Sequence, residues 1–123
     1  MNNEKRGYKN LIVFQKADEL VLKIYEITSK FPSTEKFSLV DQMRRAAISV
    51  PANIAEGCGR RTTKERIQFF YTSRGSLIEL EYYIDLSFKL NYIDKQLHNK
   101  LSQLRNDVGR LINGLITSLK NSV

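Results

Sequence analysis

From Phe14 onward the apolar residues fall at Phe14, Ala17, Leu20, Val21, Ile24, Ile27 and Phe31. Steps of three and four put them on one face of a helix. Pro32 ends that helix, because the residue before a proline is pushed out of the α region. In the following FPSTEKF, Ser33 or Thr34 offers a cap for a second helix. Its stripe is Val40, Met43, Ala47, Val50 and Ile54, and it stops near Gly57-Cys58-Gly59, where two glycines can supply a left-handed cap. RRTTKERIQFF opens a third helix with Thr62 or Thr63 as its cap; from Thr62, Glu65 falls at the third helical position and makes a capping box. Phe69, Phe70, Leu77, Leu80, Ile84 and Phe88 form its apolar face. Asn91 marks a turn, and Asp94 caps a fourth helix carrying Leu97, Leu101, Leu104, Val108, Leu111, Leu115 and Leu119, widened by Ile112 and Ile116. No segment alternates with a period of two. The pattern predicts an all-α chain, an antiparallel up-down-up-down four-helix bundle with short loops.

Pro51 stands inside the second stripe. It has no N–H to give to the Ala47 carbonyl, and its ring presses on that carbonyl, a cost of about 3 kcal/mol in a helix interior. The apolar stripe passes through position 51 in phase, from Val50 to Ile54, which favours a continuous helix with a kink over two separate helices. Small residues, Ala46, Ala47, Ser49, Ala52 and Ala55, surround the proline and allow close approach of a neighbour. Arg45, Ser49, Asn53 and Glu56 form a second, polar stripe. It is either a solvated face or a seam against another helix or subunit, with Glu79 or Glu81 as the acidic partners of Arg44 or Arg45.

A length of 123 residues is enough for one core: residues 11–121 read as a single domain behind a flexible N-terminal segment, residues 1–10. The chain has a net charge of +7. Residues 44–74 hold Arg44, Arg45, Arg60, Arg61, Lys64, Arg66 and Arg74 against only Glu56 and Glu65, so most of the excess lies in the middle of the chain. A surface of that kind favours acidic partners, nucleic acid first. The single cysteine, Cys58, excludes an internal disulfide. No apolar run is long enough to span a bilayer and the opening MNNEKRGYKN lacks the apolar core of a signal peptide, so a cytoplasmic protein without membrane contact is expected.

Catalytic chemistry finds few candidates. One histidine, His98, and one cysteine forty positions away make no metal-ligand cluster, and neither a metal nor a cofactor is expected. Glu79 and Glu81, two apart on a helix, point to different faces. The glycines of GCG lack the spacing and the Lys-Ser/Thr pair of a phosphate loop. His98 reads as a surface residue, and no arginine stands at 91–94 as a helical ribonuclease pairing would require. Cys58 reads as a small residue filling a tight loop. Tyr71, Tyr82, Tyr83 and Tyr92 lie off the apolar stripes and suit a subunit interface.

The block from Gln42 to Arg60, QMRRAAISVPANIAEGCGR, and GSLIELE, Gly75 to Glu81, resemble the four-helix-bundle proteins encoded within intervening sequences of bacterial 23S ribosomal RNA, also called S23 proteins. The resemblance extends from about Phe14 to Leu119, and more distantly to the accessory protein of diversity-generating retroelements. It implies a ring-like homopentamer associated with ribosomal RNA loci and a nucleic-acid-binding role. On that basis Gln42, Arg44, Arg45, Ser49, Pro51, Asn53, Glu56, Gly57, Glu79 and Glu81 are expected to form a structural or interface motif. Arg60, Arg61, Lys64 and Arg66 are left to face an anion. The leading expectation is a non-enzymatic homo-oligomer that binds RNA or DNA. The alternative is a scaffold that docks a nucleic-acid-processing protein without touching nucleic acid itself.

Overall fold

The computed structural model describes residues 3–122. A 3-10 stretch, Asn3–Asn10, leads into α1 (Ile12–Thr28), followed by α2 (Leu39–Cys58), α3 (Thr63–Lys89) and α4 (Lys95–Asn121). No strand occurs among the described residues. Each helix packs on its two neighbours around the ring α1–α2–α3–α4, and the α2/α3 packing is the most extensive. Cross-helix pairs run in opposite directions: Ser73 meets Val50 while Ser87 meets Met43, and Arg74 meets Asn113 while Glu81 meets Arg105. The bundle is antiparallel throughout.

The core follows the apolar period. Leu20, Ile24, Met43, Val50, Ile54, Phe70, Leu77, Leu80, Ile84, Val108 and Ile112 are all but sealed from solvent. The α4 stripe is narrower than its leucines predict. Leu101, Val108, Ile112 and Ile116 are buried, whereas Leu97, Leu104, Leu111, Leu115 and Leu119 are only half-buried at its edges. Phe69 and Phe88 likewise stand at the border, covered by Arg60 and His98.

Helix boundaries show where local chemistry prevails. Thr62 caps α3 by accepting the Glu65 N–H at 3.1 Å, and the box closes through the Thr62 hydroxyl, which donates to Glu65 Oε1 at 2.9 Å. Asp94 caps α4 by accepting the Leu97 N–H at 2.8 Å. Asn91 turns the chain with φ 64°, a left-handed value that asparagine tolerates. Two expectations are corrected. Ser33–Glu35 is a 3-10 turn and α2 starts only at Leu39: neither the Ser33 nor the Thr34 hydroxyl caps a helix, and the Glu35 carboxylate accepts from the hydroxyls of Tyr92 and Ser38. And α2 closes without a left-handed glycine: Gly59 stays right-handed at φ −86°.

α2 runs unbroken through Pro51. The polar groups beside it bond other carbonyls than the one freed by the ring. Asn53 Nδ2 donates to the Ser49 carbonyl at 2.8 Å and the Ser73 hydroxyl donates to the Val50 carbonyl at 2.8 Å. Among the described residues no side chain donates to the Ala47 carbonyl.

Candidate nucleic-acid interface

The α2–α3 connection is short, and its geometry is set by Gly57. A Cβ there would stand 2.7 Å from Phe70 Cε1 and 3.1 Å from Phe69 Cβ. The missing side chain lets the last turn of α2 lie directly on the first turns of α3. Gly59 and Arg60 N–H groups then donate to the carbonyls of Glu56 and Gly57 and turn the chain.

The four cations of this segment separate into two kinds. The Arg60 guanidinium pairs with Glu56 at 2.7 Å and lies over the Phe69 ring, 4.6 Å from its centroid. Arg66 donates through Nε to the Arg60 carbonyl at 2.9 Å. These two hold the loop. Arg61 and Lys64 are not buried and have no carboxylate within ion-pair distance among the described residues. They are the free charges.

The fold adds to them. The N-terminus of α1 and the C-terminus of α4 reach the same end of the bundle: Tyr8, Leu11, Cys58, Arg66, Leu115 and Leu119 share one cavity there. Lys9 lies by Tyr8, and Lys120 shares a groove with Lys64. Arg74 and Lys120 both cover the Tyr71 ring, at 4.8 and 5.2 Å, and Arg74 also donates to Asn113 Oδ1 at 3.0 Å. Cations laid on aromatic rings keep their charge while losing freedom. Lys9, Arg60, Arg61, Lys64, Arg66, Arg74 and Lys120 thus surround one end and its α3/α4 flank, against Glu56 and Glu65. Sequence reading found the loop cations. It missed Lys9 and Lys120, which only the return of α1 and α4 to this end brings near.

The arginine pair of α2 serves a different purpose. Arg44 turns to α1: Nε donates to Thr28 Oγ1 at 3.0 Å, Nη2 to the Tyr25 carbonyl at 3.3 Å, and the guanidinium lies 4.4 Å from the Tyr25 ring centre. Arg45 is exposed and pairs with Asp41 one turn back, at 3.0 Å. Within the chain neither meets Glu79 or Glu81. Glu79 instead accepts from the Tyr83 hydroxyl at 3.1 Å, and Glu81 reaches Arg105 on α4 at 3.7 Å. The Tyr83 hydroxyl also lies 3.4 Å from Gln42 Oε1. Ser49 and Asn53 do form a seam, against α3 of the same chain. Ser76 donates to the Ser49 hydroxyl at 2.8 Å, and Asn53 Nδ2 donates to it at 2.9 Å. Glu56 closes the stripe through Arg60.

Three other groups bear on chemistry. Burial pushes the Cys58 thiol above its ordinary value, and nearby Arg66 only partly offsets this, so the thiol is protonated at neutral pH. His98 is not the surface residue its sequence position indicates: its side chain is 19% exposed, Nε2 lies 2.8 Å from Asp85 Oδ1, and its ring tilts against Phe88. Tyr92 donates to Glu35 Oε2 at 2.6 Å and packs on Phe31, so it belongs to the chain's own core edge. No group of three or more His, Cys, Asp or Glu side chains gathers among the described residues. Nor is any described helix long and apolar enough to cross a membrane.

No curated protein matches the sequence. A crystal structure of a protein with unknown function from the S23 ribosomal protein family of Bacteroides thetaiotaomicron VPI-5482 has the same fold. Its TM-score is 0.80 at 20% identity, over 86% of this chain and 96% of that one. Residues 9–114 match the family described as 23S rRNA-intervening sequence protein. That span takes in the arginine pair, the seam at Pro51 and the basic loop, and the chain belongs to the 23S rRNA-intervening sequence protein family.

Proposed function

We propose that this is a non-enzymatic, homo-oligomeric nucleic-acid-binding protein that holds RNA by its phosphates on the basic end of the bundle. The observation that carries this reading is the gathering of seven cations from three separate stretches of chain around one end and its α3/α4 flank, with Arg61 and Lys64 free of carboxylates among the described residues. A field of that kind supports phosphate-driven, salt-sensitive binding with little base readout. The family's description names an intervening sequence of 23S rRNA, which makes RNA the first ligand to try.

Self-association is supported by the opposite end of the α2/α3 face. Phe37 is 86% exposed there and Tyr82 60%, beside a groove of about 510 Å³ walled by Leu39, Tyr83, Leu86 and Leu90. Apolar side chains left in water at this density favour an interface. Five subunits is the number the family resemblance implies.

The test is a titration of a labelled 23S rRNA hairpin at two salt concentrations, with an Arg61→Glu/Lys64→Glu variant in parallel. The expected result is tight binding at low salt, and a log–log salt slope that falls by about 0.7–0.9 for each phosphate the variant no longer neutralises. Absence of binding at low salt overturns the reading and leaves the scaffold alternative. Light scattering tests the oligomer, and a monodisperse monomer removes it.

A further inference from the structure

The cavity at the basic end has a volume of about 520 Å³ and walls from α2, α3, α4 and the N-terminal turn that enters α1. Leu11, Ala55, Cys58, Leu115 and Leu119 make it apolar, Tyr8 supplies an aromatic wall, and Arg66 is the only charged lining residue among the described residues. Volume and character fit a small-ligand site, an apolar hollow with one placed polar group. The Arg66 Nε–H is already committed to the Arg60 carbonyl, which fixes the guanidinium plane and leaves its outer nitrogens available. Lys64, two residues before Arg66 on α3, lies on a different helix face and lines the neighbouring groove with Lys120, while Arg61 is exposed in the loop that leads into α3.

We infer that the cavity receives one unpaired base of a bound single strand, packed against the apolar wall and the Arg66 plane, while the cations around this end of the bundle, Lys64 and Lys120 in the neighbouring groove among them, draw the strand's phosphates. The inference rests on the nucleic-acid reading above and narrows it to strands with splayed bases. Duplex RNA hides its bases in the stack and can meet only the cations. An unpaired base can turn into an apolar hollow beside an arginine, a common manner of single-strand recognition. The apolar walls offer no pattern of donors and acceptors, so the site discriminates unpaired from paired nucleotides and not one base from another.

Cys58 provides a built-in reporter, since it lines the cavity and is the only thiol in the chain. The experiment compares a short oligouridylate with an RNA duplex of equal length, at one low salt concentration. The first measurement is the rate at which N-ethylmaleimide modifies Cys58 of the wild-type protein, at mildly alkaline pH, with each RNA at saturation. The strand is expected to slow modification severalfold and the duplex to leave it unchanged. The second uses Ala55→Trp, which narrows the hollow and keeps every cation. Strand affinity should fall about tenfold, the scale of one stacked base, with duplex affinity unchanged. An unprotected thiol under saturating strand overturns the inference, with or without a folded variant. A strand affinity left unchanged by the narrowed cavity does the same. If neither RNA binds at low salt, the nucleic-acid reading itself fails and takes this inference with it; if both bind equally and Cys58 stays reactive, only the inference fails.

Discussion

The Ser73 hydroxyl of α3 donates to the Val50 carbonyl of α2 at 2.8 Å, one residue before Pro51 and out of reach of water. Proline deprives α2 of one internal hydrogen bond, and the neighbouring helix supplies a donor to the same turn. This ties the position of α3 to the proline turn. Ser73→Ala is expected to cost about 1–2 kcal/mol, the range for removing a buried hydrogen bond. For a chain of this size that lowers the melting temperature by roughly 3–10 °C, read by circular dichroism. A midpoint within a degree of wild type would show that the bond contributes nothing.

Two glycines on helices should respond oppositely to alanine. At Gly57 the new Cβ meets the Phe70 ring at 2.7 Å, and Phe70 is buried with nowhere to move. Overpacking of that kind costs about 1–3 kcal/mol and outweighs the gain in helix propensity. At Gly75 nothing lies within 4 Å of the added Cβ, so only the propensity gain remains, about 0.5–1 kcal/mol of added stability. Denaturant midpoints of Gly57→Ala and Gly75→Ala should therefore fall on either side of wild type.

Arg44 and Arg45 are sequence neighbours with unequal work. Arg44 makes two hydrogen bonds to α1 and covers Tyr25, so Arg44→Ala is expected to cost about 1–2 kcal/mol. Arg44→Lys should recover only part of this, because an ammonium cannot reproduce the forked geometry. Arg45→Ala removes one exposed pair within a helix and should stay within about 0.5 kcal/mol of wild type. Urea unfolding of the three variants checks the ranking; equal costs at 44 and 45 would refute it.

Tyr92 and Glu35 link stability to pH. The hydrogen bond from Tyr92, helped by that from Ser38, holds the Glu35 carboxyl below the usual carboxylate range. The same bond raises the Tyr92 phenol. A lowered carboxyl contributes stability that is present above its unfolded pKa and lost as pH falls through the folded one. A raised phenol contributes stability present below its unfolded pKa and lost as pH rises through the folded one. Tyr92→Phe should therefore be most destabilising at neutral pH and approach wild type in acid. Melting temperatures of both proteins across the acid range measure this. A difference that stays constant with pH excludes the coupling.

Period alone made the four helices legible, because a three-four recurrence sustained along a whole segment admits no other element. Caps were legible where one side chain decides them, as at Thr62 and Asp94. The start of α2 was not: Ser33 and Thr34 are good caps in isolation, yet this segment takes a 3-10 turn held to the α3–α4 connection by the Glu35–Tyr92 bond, fifty-seven residues apart. Gly57 was legible as special, although the left-handed cap it could have supplied does not form. Its role is a close approach to Phe70, a meeting of two helices that no local pattern encodes. The α2 seam was visible as a stripe, yet Arg44 sits off it and turns to Thr28, which the spacing of arginines and glutamates could not reveal. The loop cations stood out by density. Division of labour among them, Arg60 and Arg66 holding and Arg61 and Lys64 free, depends on Phe69, Glu56 and a backbone carbonyl in three dimensions.

Crowding cations at one pole gives the molecule an electrical polarity along its long axis. On the phosphate-binding function proposed above, a polyanion meets it pole first, already oriented before the two touch. Copies standing side by side in the same sense must overcome mutual repulsion at that pole, and neutralising it with a bound strand would relieve the strain. Assembly size and ionic strength should consequently be coupled, with dilute salt loosening any array of bare subunits and a polyanion tightening it.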